Sequence, residues 1–274
     1  MHSAMKKYII LICGILTASV LDAQDLIILH TNDTHSQLEV IGVGKGKDKG
    51  GVSRRMEYFN QVRAEGPDVL ILDAGDYNQG TPYFTVFKGD VEVDLMNALG
   101  YDVVALGNHE FDNGMQELAR RLENAEYETV CANYDFKGTP LEDYIQPYTI
   151  VERAGRRIGI IGLTVRLDGV VSAHCREGLV YQDPIQVAND LALMLRNEMG
   201  CDLIIALSHL GYSGKMSDIE LAKNSREIDL IVGGHSHTFL KTERVYQNLD
   251  GRDVVIVQDG AQGEWVGRFD ITFN

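Results

Sequence analysis

Seven short apolar runs, each rich in β-branched residues, constrain the fold of this 274-residue chain more than any other feature. Most of them are continuous rather than alternating, which predicts strands buried on both faces. The runs are DLIILHT (25–31), DVLILDA (68–74), DVVALG (102–107), RIGIIGLT (157–164), DLIIALS (202–208), IDLIVGG (228–234) and DVVIVQ (253–258). An eighth run, VGRFDITF (266–273), alternates and predicts a strand with one solvated face.

Helical patterns lie between these strands. One apolar face is shared by Val52, Met56, Phe59 and Val62, and further stripes occupy 95–99 and 115–122. Gly100 suits the C′ position of the second stripe. Asp183-Pro184 forms an N-cap and a first-turn proline, and the helix that it opens is predicted to run to Gly200.

The alternation of strands and helices predicts an α/β fold. A hairpin-like link, ERAGRR (152–157), joins a strand at 149–152 to the strand at 157–164, so the sheets are expected to be mixed. The Gly/Lys-rich stretch at 42–51 is expected to be a surface loop, and regular patterns resume directly after it. We therefore expect one domain over 24–274.

The first 23 residues have the pattern of a secretory signal peptide. Lys6 and Lys7 give a positive start, 8–21 is an apolar run, and Ala23 is a small residue before the expected cleavage point. The alternative is an uncleaved anchor helix, but the run is short for a bilayer span. We predict an exported protein, periplasmic or at the cell surface or secreted, without a stable membrane span.

The charge balance excludes one class of partner. The formal net charge is −15, and removal of 1–23 takes it to about −16. Such a surface repels nucleic acid, whereas a small phosphate ester can bind where metal ions reverse the local field. The three cysteines beyond residue 23, Cys131, Cys175 and Cys201, allow at most one disulfide, and buried free thiols are the favoured interpretation.

Polar residues of metal-ligand type follow five of the predicted strands. They are Asp33, His35, Asp76, Asn108, His109, His209, His235 and His237. Each alone has a structural explanation, such as a turn cap or a core histidine. However, five of the seven histidines beyond residue 23 occur in these strand-end positions. Because ligands in open α/β sheets bind beyond the carboxyl ends of strands, we expect one shared site.

The donor types indicate which ions this site holds. Carboxylate, imidazole and amide groups without thiolate exclude a cysteine-type structural zinc site. They suit divalent Zn, Mn, Co, Fe or Mg ions. The set is too large for one tetrahedral ion, so two ions bridged by a carboxylate are expected, as in dinuclear hydrolytic sites that act on phosphoryl groups.

Several motifs together resemble the metallophosphoesterase domain of the 5′-nucleotidase family, within the calcineurin-like phosphoesterases. They are ILHTNDTHSQLE, GGVSRR, DAGDYNQGTPYF, YDVVALGNHEFDNG, CANYD, SHLG and GGHSHT, in that order. The resemblance implies a four-layer α/β/β/α sandwich of two mixed sheets flanked by helices. It also implies a dinuclear phosphoesterase that uses a metal-bridging hydroxide.

The resemblance further implies individual roles. The first metal would be held by Asp33, His35 and His237, the second by Asn108, His209 and His235, and both by Asp76. His109, paired with Asp112, would stabilise the transition state or protonate the leaving group. We interpret Glu110 as structural.

The substrate is less constrained by the sequence than the metal chemistry. The resemblance implies 5′-nucleotides or related phosphate esters. Cyclic 2′,3′-phosphodiesters, nucleotide sugars and sulfur esters are alternatives on the same site. The family's C-terminal nucleotide-binding domain has no counterpart in 24–274, so a separate chain that carries such a domain is a possible partner. Trp265 is expected to pack as part of an edge strand, and Tyr77, Tyr83 and Phe84 are expected to pack within a loop rather than to form a base clamp.

Overall fold

The structure, a computed structural model, describes residues 25–273. The predicted signal peptide, 1–23, lies outside the described residues. None of the helices within 25–273 is long and apolar enough to cross a bilayer.

Two mixed sheets form the centre of the molecule. The first has the strand order β13-β1-β2-β3-β4, in which β1 to β4 are parallel and β13 is antiparallel to β1. Its strands are β1 (Leu26–Thr31), β2 (Asp68–Asp73), β3 (Val103–Ala105), β4 (Glu128–Val130) and β13 (Gly267–Ile271).

The second sheet has the order β11-β12-β10-β9-β7-β6. Its four inner strands are parallel and its two edge strands are antiparallel to their neighbours. The strands are β6 (Tyr148–Arg153), β7 (Arg156–Thr164), β9 (Leu203–His209), β10 (Leu230–Gly233), β11 (Arg244–Gln247) and β12 (Asp253–Val257). A separate two-stranded ribbon pairs β5 (Tyr134–Asp135) with β8 (Val180–Tyr181).

Helices cover the outer face of each sheet. They are α1 (Val52–Arg63), α2 (Pro82–Phe87), α3 (Asp90–Leu99), α4 (Met115–Leu122), α5 (Pro184–Asn197) and α6 (Asp218–Asn224). Ile27 and Leu29 of β1 face the cluster that holds helix residues such as Phe59 and Leu118. Ile204 of β9 faces the cluster that contains residues of α5 and α6.

The two sheets pack face to face through the strand residues that point away from the helices. Leu26 and Ile28 of β1 lie in one buried cluster with Ile160 of β7 and Ile205 of β9. Because successive strand residues point to opposite faces, each strand contributes to two apolar layers, and this explains the continuous hydrophobic runs. The predicted four-layer α/β/β/α sandwich is confirmed.

Some element boundaries differ from the sequence prediction. Helix α5 ends at Asn197 rather than Gly200, because Gly200 has φ +68° in the turn that follows. The short strands β4 and β11 and the helices α2 and α6 were not predicted. Trp265 does not belong to the edge strand. It precedes β13, is 41% exposed and stacks on Phe239 with ring centroids 4.7 Å apart.

The three cysteines among the described residues are buried free thiols, as expected. Burial raises the pKa of Cys131 to about 12, so this thiol stays protonated and unreactive.

Gly162 of β7 lies where the second sheet meets the backbone of β4 in the first sheet, and a larger residue there is expected to destabilise the fold. A methyl group here would lie 2.2 Å from the carbonyl oxygen of Val130, which is backbone and cannot rotate away. We expect Gly162→Ala to lower the free energy of unfolding by on the order of 3 kcal/mol. Gly159→Ala is the matched control, since its methyl group would meet only the side chains of Leu195 and Cys201, at 3.0 and 3.3 Å. Equal denaturation midpoints for the two variants would contradict the prediction.

Candidate metal centre

The carboxyl ends of strands from both sheets converge at one edge of the sandwich, and the candidate ligands meet there. Three groups of side chains have ligand atoms within 4.8 Å of one another. They are Asp33–His35–His237, Asp76–His209–His235 and His35–Asp76–His109. The third group connects the other two, so the structure brings the strand-end residues into one cluster.

The first group crowds two imidazoles against a carboxylate. The Nε2 atoms of His35 and His237 are 2.9 Å apart, and His237 Nε2 is 3.4 Å from Asp33 Oδ1. Asp33 is fully buried, and its carboxylate accepts the backbone N–H of His235 at 2.9 Å. The carboxylate is thereby fixed with respect to the loop that carries His235 and His237.

The second group is arranged around Asp76 and His209. His209 Nδ1–H donates to the carbonyl of Ala74 at 2.6 Å, which fixes the ring and turns Nε2 toward Asp76 Oδ2, 3.0 Å away. A backbone carbonyl behind a histidine is the usual support of an imidazole ligand. Burial favours a lower pKa for His209, but the Asp76 and Asp33 carboxylates raise it to about 10. This part of the site therefore strongly favours positive charge.

Unpaired buried atoms show that these residues fit a metal. Within the described part of the chain, His35 Nδ1 and Asn108 Oδ1 are buried without a hydrogen-bond partner. Buried polar atoms are nearly always paired, and each exception calls for an explanation. Coordination of cations gives these lone pairs a partner and offsets the charge of two buried carboxylates, so the donor set suits divalent ions.

Backbone conformation distinguishes the same residues. Five of the seven predicted ligands have a φ between +49° and +69°, in the left-handed region that non-glycine residues rarely adopt: Asp33, His35, Asp76, His235 and His237. Each such residue costs on the order of 1 kcal/mol or more, and strain of this kind is concentrated at functional sites.

His109 and Asp112 form a hydrogen-bonded pair beside the cluster. His109 Nδ1 is 2.7 Å from Asp112 Oδ2, and the backbone N–H of His109 donates to Asp76 Oδ1 at 2.8 Å. The hydrogen bond to Asp112 raises the pKa of His109; burial opposes this and the charge of Asp76 supports it. Because His109 also lies within ligand distance of His35 and Asp76, its assignment as a non-ligand stays a prediction.

Glu110 has the structural role that was expected, through contacts that the sequence did not indicate. This fully buried carboxylate accepts the backbone N–H groups of Asp76 at 2.9 Å, Gly107 at 2.7 Å and Asn78 at 3.2 Å. Burial and the neighbouring Asp76 raise its pKa to about 7. Glu110 ties the loop that follows β2 to the turn that follows β3, so its structural role is to hold the frame of the site.

Asn32 was missed, although it immediately precedes Asp33. Its side chain donates to Asp33 Oδ2 at 2.6 Å and to the carbonyl of Gly260 at 2.8 Å. The contact with Gly260 joins residues that are far apart in sequence. The only available signal was the position of Asn32 within the polar cluster after β1.

Two of the three aromatic residues near the second strand end, Tyr77 and Phe84, are buried packing residues, as expected. Tyr77 and Phe84 are 2% and 8% exposed. Tyr83 lies at the surface, where its hydroxyl donates to Glu39 at 2.9 Å. None of the three forms an open aromatic clamp.

Comparison with known proteins identifies the family. Residues 26–239 match the calcineurin-like phosphoesterase family. A 5′-nucleotidase from the venom of the snake Naja atra is 38% identical over 91% of this chain and 50% of its own length. The 5′-nucleotidase of Homo sapiens is 37% identical over 92% of this chain and 47% of its own length. The chain thus spans about half the length of these relatives.

Solved structures agree with this relationship. The crystal structure of a 5′-nucleotidase precursor from Thermus thermophilus aligns with a TM-score of 0.84 and 37% identity, over 91% of this chain and 51% of that one. The NAD nucleotidase of Haemophilus influenzae aligns with a TM-score of 0.78 and 31% identity, over 89% and 52%. Sequence, fold and ligand pattern together place the chain in the calcineurin-like phosphoesterase family, where it corresponds to the matching half of the 5′-nucleotidases.

Proposed function

We propose that this chain is an exported phosphoester hydrolase that uses two divalent cations and acts on 5′-nucleotides or related esters, with 24–274 as its phosphoesterase domain. The observation that carries the proposal is the cluster of ligand atoms at the strand ends, in which Asp76 lies between two sets of imidazoles. The family membership and the nucleotidase relatives support the reaction class.

The proposed ligand sets follow the two outer groups of the cluster. Asp33, His35 and His237 would hold one ion. His209 and His235 would hold the other together with Asn108, whose buried Oδ1 lacks another partner among the described residues. Asp76 would bind both ions. When bound, two such ions neutralise the charge on phosphoryl oxygens. They also lower the pKa of water, so that hydroxide is available as a nucleophile near neutral pH.

His109 would act directly on the phosphoryl group or on the leaving oxygen. Asp112 accepts from Nδ1, so the proton on Nε2 is directed away from this pair. The raised pKa favours the protonated ring, whose Nε2 proton can stabilise developing negative charge or be transferred to the leaving group. Asp112 orients the ring and does not itself contact the substrate.

A nucleotide is the best-supported substrate because the relatives include 5′-nucleotidases and an NAD nucleotidase. Cyclic 2′,3′-phosphodiesters, nucleotide sugars and sulfur esters are the alternatives that a substrate panel with metal add-back would decide. No observation favours a separate partner chain. Export is supported by the pattern of 1–23 and by the venom origin of one relative.

Replacement of Asp76 tests the dinuclear site. We expect Asp76→Asn to reduce the metal content below two ions per chain and to lower kcat by roughly 10³-fold or more, because the shared ligand is weakened. Elemental analysis after loading with Mn²⁺ and turnover of an aryl phosphate give the two measurements.

Asp68→Asn is the matched control for this variant. Asp68 begins the same strand, and its carboxylate accepts the backbone N–H of Ala154 at the opposite end of the sheet. This control should retain both ions and activity within about twofold. One ion or none in the wild-type protein would rule out the dinuclear assignment.

The His109–Asp112 pair is tested by a double-mutant cycle. We expect His109→Ala to retain both metals and to lose on the order of 10²–10⁴ in kcat, the size of a general-acid contribution. Asp112→Asn should lose less. The double variant should be no slower than His109→Ala, since Asp112 acts through the ring. Loss of metal from His109→Ala would identify His109 as a ligand instead.

A further inference from the structure

The loop that carries the proposed ligand His35 has an unfavourable backbone conformation at two successive residues. His35 and Ser36 have φ values of +49° and +55°, both in the left-handed region. Non-glycine residues adopt this region rarely, and such residues persist only where the surrounding structure holds them in place. The contacts of this loop therefore decide whether His35 is presented to an ion.

Backbone hydrogen bonds join this loop to the loop that follows β2. The N–H of His35 donates to the carbonyl of Asp76 at 3.0 Å, and the N–H of Ser36 donates to the carbonyl of Tyr77 at 2.9 Å. Thr81 Oγ1 donates to the carbonyl of Ser36 at 3.0 Å. The backbone of Ser36 is thus fully paired, and the loop lies against the segment that carries Asp76.

The side chain of Ser36 is held from helix α3. Ser36 Oγ donates a hydrogen bond to Glu92 Oε1, and both residues are buried, so solvent does not compete for this bond. Glu92 lies in the first turn of α3, where the helix dipole favours a negative charge. A hydrogen bond to a charged acceptor is stronger than a neutral one. Glu92 therefore ties the strained loop to a helix of the outer layer.

The second carboxylate oxygen of Glu92 is available to a water molecule. Among the described residues Oε2 is buried without a hydrogen-bond partner. Glu92 lines a small cavity of about 20 Å³ together with Thr34, Gln37 and Arg55. This volume suits one water molecule, and polar side chains are the walls that retain one. A water in this cavity would complete the hydrogen bonding of the carboxylate in the orientation that Ser36 requires.

Packing of the core does not explain a carboxylate at this position. Helix α3 already contributes Val93, Met96 and Leu99 to the buried cluster of the first sheet. A buried carboxylate is costly unless it is paired, so an apolar residue would serve packing better. Within 25–273 Glu92 also belongs to none of the groups of ligand atoms, so it is not a direct ligand of the proposed ions.

We propose that Glu92 is a positioning residue of the metal centre. It holds Ser36, and through Ser36 the adjacent His35, in the conformation in which His35 binds its ion. This inference rests on the proposed function, in which Asp33 and His237 hold the same ion. Residues that support a metal ligand from behind typically contribute 10- to 100-fold in metal affinity, roughly the effect expected here.

Two variants of similar size test the hydrogen bond from Ser36. Glu92→Gln keeps an oxygen that accepts from Ser36, whereas Glu92→Met has a similar length and no oxygen. For Glu92→Met, calorimetric titration with Mn²⁺ should show one ion bound about 10- to 100-fold more weakly and the other within about threefold of the wild type. Glu92→Gln should bind both ions within about threefold of the wild type. Equal affinities in all three proteins, or equal weakening of both ions, would overturn the proposal.

Asp94→Asn is the control for charge. Asp94 lies on the same helix and is exposed, so this variant removes a carboxylate without touching Ser36. Its Mn²⁺ affinities should match those of the wild type, and weakening like that in Glu92→Met would contradict the proposal. Urea denaturation of the metal-free proteins measures any effect on the fold separately. If Glu92→Met lowers only the free energy of unfolding and leaves both affinities unchanged, Glu92 serves the fold alone and the proposal is wrong.

Ser36→Ala tests the connection between Glu92 and the loop. It removes the hydroxyl and should weaken the same ion as Glu92→Met does. The double variant S36A/E92M should bind that ion no more weakly than the weaker single variant, because both changes remove one hydrogen bond. Additive losses would show that Glu92 acts by another route and would overturn the proposal.

Crystal structures of the metal-free proteins separate failure of this inference from failure of the proposed function. If the wild type binds no Mn²⁺ or hydrolyses no phosphate ester, the proposed function fails, and the loop conformation still tests Glu92. Ser36 should keep its left-handed φ in the wild type and in Glu92→Gln and should lose it in Glu92→Met. The same φ in all three structures would overturn the assignment of Glu92, whatever the metal content.

Discussion

Asp76 is the residue on which the arrangement of the site depends. The residue is almost fully buried and has a backbone φ of +58°. Its carboxylate accepts the backbone N–H of His109 and faces the His209 ring. Its own backbone N–H is held by Glu110. Burial opposes the charged form of Asp76, and the surrounding histidines nevertheless hold its pKa well below the usual range. An anion that is this strongly desolvated requires nearby positive charge, which divalent ions provide.

The fold supplies the position for this charge cluster. Both sheets present the carboxyl ends of parallel strands to the same edge, and the loops beyond those ends need to be only a few residues long. The apolar sandwich beneath them is rigid enough to hold several left-handed residues and unpaired lone pairs in place. Ion binding to such a prepared site stabilises the folded chain by mass action, so the strain of the loops and the affinity for metal are linked.

The sequence predicts the parts of the site that depend on local pattern. A polar residue directly after a buried apolar run is visible without a structure, and so Asp33, Asp76, Asn108 and His209 could be proposed as ligands from the sequence. Partners that the fold brings together over long sequence distances were missed. Glu110 serves two loops, and Asn32 reaches Gly260.

The same distinction applies to the fold. Continuous β-branched runs identified the inner strands, whereas β4 and β11 have only three and four residues and little periodicity to recognise. The end of α5 depended on a left-handed turn at Gly200 rather than on the apolar stripe.

The central claim is that two ions share Asp76. Its most direct test is an anomalous difference map from crystals of the protein loaded with Mn²⁺, recorded at the manganese absorption edge. Two peaks roughly 3.5–4 Å apart are expected, with oxygens of the Asp76 carboxylate coordinating both ions. A single peak, or two peaks of which only one contacts Asp76, would contradict this claim.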